Sequence, residues 1–66
     1  MNITINGKNQ SFEDISTLSE LIEQVCPENK RVIAELNGTI VKSADWNAQT
    51  IKEGDTIELV SFVGGG

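Results

Sequence analysis

Only one stretch of this sequence carries a helical apolar period, and that limits the fold more than any other feature. Leu18, Leu21, Ile22 and Val25 recur at i, i+3, i+4 and i+7, so they form a single stripe, while Glu20, Glu23 and Gln24 fall on the opposite side. Thr17 followed three residues later by Glu20 is a capping box that marks the helix start. Pro27 marks the stop, because the residue before a proline avoids helical geometry. One short helix with one apolar stripe has nothing like itself to pack against. It needs a sheet.

The rest of the chain supplies strands. Met1, Ile3 and Ile5 alternate with Asn2 and Thr4 and run into Asn6-Gly7, a two-residue hairpin signal of the type I′ class. The return strand spans residues 8–12, and its polar character places it at a sheet edge. Val32, Ala34 and Leu36 alternate with Ile33 and Glu35 into a second such turn, Asn37-Gly38, with a partner strand over residues 39–42. Residues 43–49 have no strand period and are expected to form a turn or short helical turn that Trp46 plugs onto the core. Glu53-Gly54-Asp55 is a turn, and residues 56–63 form the last strand with Ile57 and Leu59 inward. The order strand, strand, helix, strand, strand, strand predicts an α+β roll: one mixed sheet of four to five strands packed on one main helix.

Composition narrows the function. Sixty-six residues make one domain and leave little room for an enclosed active site. Ten acidic residues against five basic ones give a net charge of −5, with no basic cluster beyond Lys30 and Arg31, so nucleic-acid phosphate is not an expected partner. The excess acid keeps the domain in solution and would steer it towards a basic protein surface. There is no histidine and one cysteine, Cys26, which argues against a transition-metal site and rules out an internal disulfide. No apolar run approaches the ~20 residues that span a bilayer, and no leader pattern opens the chain; a soluble cytoplasmic protein is expected.

The chain ends Phe62, Val63, Gly64, Gly65, Gly66, so half of its six glycines occupy the last three positions. The division expected is a domain over residues 1–63 and a flexible tail over residues 64–66. A frayed terminus is the plain reading. The functional one rests on the α-carboxylate of Gly66: a tail without side chains can thread a narrow channel and bring that carboxylate to a partner's catalytic centre. Activation as a mixed anhydride with AMP, followed by attack of sulfur, would leave a terminal thiocarboxylate.

These features together resemble the ThiS family of thiamine-biosynthesis sulfur carriers, small ubiquitin-like proteins of the β-grasp fold. The resemblance covers the whole chain. It rests on the opening Ile3 to Gly7 with its Asn-Gly turn, the helix entry Thr17, Glu20, Leu21, Ile22, the stretch Val32 to Gly38, Gly54-Asp55 before the last strand, and the terminal Gly65-Gly66. The family pattern needs only the last two glycines; Gly64 is an extra. The resemblance implies a protein co-substrate that is not an enzyme and binds no cofactor of its own. Gly66 would be adenylated by a ThiF-type enzyme using ATP and magnesium, converted to the thiocarboxylate with a sulfur donor system, and would deliver sulfur to thiazole synthase. The small subunit of molybdopterin synthase or a ubiquitin-like modifier would use the same terminus, and a non-covalent interaction module remains open if the glycines have no chemical role. The free protein is expected to be a monomer.

Other residues weigh less. Glu58, Val60 and Phe62 share the outward face of the last strand, which makes Val60 and Phe62 a candidate docking patch; the alternative is a twist or bulge that turns Phe62 into the core. Cys26 is read as a half-buried small hydrophobe rather than a sulfur relay. Glu20 and Glu23 are read as solvated charge rather than an acid–base pair, and Trp46 as packing.

Overall fold

The computed structural model describes residues 1–27 and 31–62. Lys30, Val63 and the glycines at 64, 65 and 66 lie outside the described residues. The elements in chain order are β1 (Asn2–Ile5), β2 (Lys8–Ser11), α1 (Leu18–Val25), β3 (Arg31–Leu36), β4 (Thr39–Val41), a 3-10 turn (Ser43–Asp45) and β5 (Thr56–Phe62). They form a five-stranded sheet in the order β2-β1-β5-β3-β4, so the polar strand β2 is an edge, as its composition predicts. The sheet is mixed: β1 runs parallel to β5, and the other neighbours are antiparallel.

Both Asn-Gly pairs form the hairpin turns expected of them. Asn6 and Gly7 have φ of 49° and 83°, and Asn37 and Gly38 have φ of 50° and 88°, the left-handed values at both central positions that a type I′ turn requires. The return strands are each one residue shorter than the pattern suggests. β2 stops at Ser11 because Phe12 leaves the edge to enter the core, with its N–H still bonded to Met1 O. β4 stops at Val41 because residues 43–45 turn into the 3-10 segment.

The helix α1 buries Leu18, Leu21 and Ile22 against Ile3, Ile5, Ala34, Ile57 and Leu59 from the three central strands, with Val25 half-buried beside them. The capping box is present in full: Glu20 N–H donates to Thr17 Oγ1, and Glu20 Oε1 accepts from the N–H of Thr17 and of Ser16. These bonds to backbone N–H groups hold the Glu20 carboxyl below its usual range. Two further N–H groups of the first turn find tertiary partners, Leu18 on Gln49 O and Ser19 on Trp46 O. The loop after β4 is thereby tied to the helix start. That tie buries Ile51, and Ile15 enters the core from the other side of the cap. Neither position has a periodic neighbour in the sequence. Among the described residues, no helix is long and apolar enough to cross a membrane.

Candidate functional site

The terminal glycines follow β5, so the position of that strand sets where they begin. β5 lies between β1 and β3 at the middle of the sheet, with Ile57 and Leu59 facing the helix. Pairing with β1 covers only Thr4 with Thr56 and Ile5 with Ile57. The Asn6 side chain extends it: its amide donates to Leu59 O at 3.1 Å and its Oδ1 accepts from Leu59 N–H at 2.8 Å, as a backbone peptide would. Asn37 does similar work at the start of the strand, where its Oδ1 accepts from Thr56 N–H and its Nδ2 donates to Asp55. Each turn asparagine therefore serves twice, supplying a left-handed φ and a clamp on β5.

Among the described residues, the strand beyond Leu59 pairs with β3 alone, through Val60 opposite Ile33, Ser61 opposite Val32 and Phe62 opposite Arg31. Val60 is 53% exposed and Phe62 47%. The outward reading of Phe62 therefore holds over the core alternative, and the regular register through Phe62 leaves no bulge that could turn it inward. Two outward apolar residues join them that the sequence reading did not single out, Ile33 at 45% and Ile40 at 63% exposure. The alternation in β3 already set Ile33 opposite in sense to Val32 and Ala34; what it lacked was the register that places Ile33 beside Val60. Beside Phe62 an open groove of about 440 Å³ is lined by Arg31, Val32, Ile33, Ser43 and Trp46. Trp46 is fixed there by its indole N–H on Val41 O at 2.9 Å and packs against the core, which is the packing role read for it.

The remaining candidates fall where a structural role would put them. Cys26 caps the C-terminus of α1, half-buried and unpaired, with its N–H on Ile22 O. Glu20 is occupied by the capping box, and Glu23 is exposed on the outer side of the helix. Among the described residues no group of three His, Cys, Asp or Glu side chains could hold a metal ion. The groups named for covalent chemistry and threading, Gly66, Gly65 and Gly64, lie outside the described residues.

Comparison with known proteins agrees with this geometry. The ThiS family model matches residues 3–66. The sulfur carrier protein ThiS of Bacillus subtilis is 35% identical over 97% of this chain and 98% of its own length. A crystal structure of the thiamine biosynthesis protein ThiS of Geobacter metallireducens superposes with a TM-score of 0.81 at 35% identity, covering 100% of both chains. A thiazole synthase of Paramagnetospirillum magneticum is 30% identical over 100% of this chain, which spans only 20% of that protein's length. The β-grasp sheet, the single capped helix and a family match that runs to the final glycine all point one way: this chain belongs to the ThiS family, the sulfur carriers of thiamine biosynthesis.

Proposed function

We propose that the protein carries sulfur on its own C-terminus. One oxygen of the Gly66 α-carboxylate attacks the α-phosphorus of ATP in a ThiF-type adenylating enzyme, with magnesium on the phosphates, and pyrophosphate leaves. A sulfide delivered by a sulfur donor system then attacks the acyl carbon of the adenylate; AMP leaves and a C–S bond replaces the C–O bond. The thiocarboxylate is the better nucleophile and is the form presented to thiazole synthase. In this division of labour residues 1–63 are the recognised domain and residues 64–66 the threaded tail, with Gly64 and Gly65 lacking any side chain that a narrow channel would have to admit. Val60 and Phe62 are the apolar anchors by which the domain docks, and the cytoplasm is the compartment where its partners meet it.

The observation that carries this reading is the reach of the family match, which includes the terminal glycines. The presence of a similar stretch within a thiazole synthase supports that enzyme as the acceptor of the sulfur, since a carrier segment and its client then share one chain. Carrier-dependent exchange of labelled pyrophosphate into ATP by a ThiF-type enzyme tests the first step. The rate should rise with carrier concentration and saturate. Exchange that is the same with and without the protein would contradict the proposal.

A further inference from the structure

Asn6-Gly7 and Asn37-Gly38 are chemically reactive as well as turn-forming. In an Asn-Gly pair the glycine nitrogen, with no side chain beside it, can attack Cγ of the asparagine. Its proton goes to a solvent base, ammonia leaves, and a cyclic succinimide forms that water opens to an aspartyl or isoaspartyl residue. Both glycines are open to this, since a Cβ at Gly7 or Gly38 would meet nothing within 4 Å. The N–H of the second central residue also takes no part in the bond that closes such a turn. What holds the reaction back is the other reactant. The Asn6 amide is bonded at both ends to Leu59, and Asn37 Oδ1 accepts from Thr56 N–H at 2.9 Å while its Nδ2 donates to Asp55 Oδ1 at 3.0 Å. Attack on Cγ makes the planar amide tetrahedral and expels its nitrogen, so these bonds must break first.

We infer that Asn37 is a self-modification site, protected while the start of β5 is clamped and altered for good once that start lifts away. The inference does not depend on the carrier chemistry. The two asparagines differ in what their products would face. At Asn6 the lost amide leaves a new carboxylate beside the neutral carbonyl of Leu59. At Asn37 it leaves one beside the carboxylate of Asp55, which is 3% exposed and already has its other oxygen on Lys52 N–H. Two carboxylates so close, one of them buried, repel each other, and the donor that joined the turn to Asp55 is gone. The strand that Asp55 launches cannot close on its clamp as before. Lifting a surface hairpin from the start of β5 needs only local opening, which costs less than unfolding the domain. The ammonia is lost to solvent, so the conversion runs one way and marks the molecules in which this opening has occurred.

The test incubates the intact protein at mildly alkaline pH with and without denaturant and maps the amide-to-acid mass change by peptide, with isoaspartyl products separated chromatographically. Both asparagines should convert in denaturant, and Asn37 in the native protein should convert at least roughly tenfold more slowly. Asp55→Ala removes the acceptor of the Asn37 amide. It should return much of that speed at Asn37 and leave Asn6 at its native rate. Asn37→Asp, which installs the product, should lower the denaturant midpoint more than Asn6→Asp does. Adding Asp55→Asn to Asn37→Asp exchanges donor and acceptor and should restore much of the loss. This comparison stands whether or not Asp55→Ala folds. The proposal would be overturned by native conversion of Asn37 as fast as in denaturant, by an effect of Asp55→Ala that is absent or equal at both sites, or by a midpoint of Asn37→Asp equal to that of the parent.

Discussion

Asp55 is a buried carboxylate in the turn that launches β5, only 3% exposed. Its burial pushes the carboxyl pKa up, but the Asn37 amide, the Lys52 N–H at 2.8 Å and the Lys52 ammonium at 3.3 Å together outweigh that and leave it below the usual carboxylate value. A carboxyl whose pKa is lower folded than unfolded contributes stability above its unfolded pKa and loses it as pH falls through the folded one. Denaturant midpoints should therefore fall on acidification below about pH 4, and Asp55→Ala should flatten that part of the profile. The same change should cost about 1–3 kcal/mol at neutral pH, since it strands the amide of Asn37 and the N–H of Lys52. An unaltered midpoint would show that the turn does not depend on it. Phe62 is the opposite case, a large apolar side chain half in water. Phe62→Ala should leave the midpoint nearly unchanged and weaken docking to the adenylating enzyme by about 1–3 kcal/mol, the range for losing a central apolar anchor. A large fall in midpoint with intact affinity would return Phe62 to a structural role. Alternation alone put Phe62 on the outer face. It said nothing of the burial of Asp55, whose carboxylate is held by two residues, Lys52 three positions before it and Asn37 eighteen positions before it.

The two hairpins and the helix were legible because their signals are local. An Asn-Gly pair carries its own turn geometry, and a capping box carries its own hydrogen bonds. Thr17→Ala should accordingly cost about 1 kcal/mol of stability, read as a lowered denaturant midpoint. A neutral result would mean that the ties from Gln49 and Trp46 to the first turn are sufficient to hold the helix start. What the sequence did not disclose is how these local pieces meet. The parallel pairing of β1 with β5 joins residues about fifty positions apart, and Ile51 and Ile15 reach the core from segments without any period. The second function of Asn6 was equally hidden. A turn residue shows its backbone preference in the sequence, but the reach of its amide to Leu59 depends on the finished sheet.

For the molecule as a whole, the proposed carrier chemistry divides the work between a packed domain that is recognised and a terminus that reacts. Changing Gly65 to Val, or adding one residue after Gly66, should abolish adenylation and leave the denaturant midpoint where it was. A β-branched side chain restricts the backbone and fills the channel, and an added residue carries the carboxylate away from the nucleotide. Undiminished AMP transfer in either variant would show that threading is not the constraint. The carrier chemistry itself is tested by mass. Incubation with a ThiF-type enzyme, ATP, magnesium and a sulfur donor, followed by intact and fragment mass spectrometry, should show an oxygen-for-sulfur increase confined to Gly66. An unchanged mass, with an enzyme preparation that loads another carrier in parallel, would contradict the account.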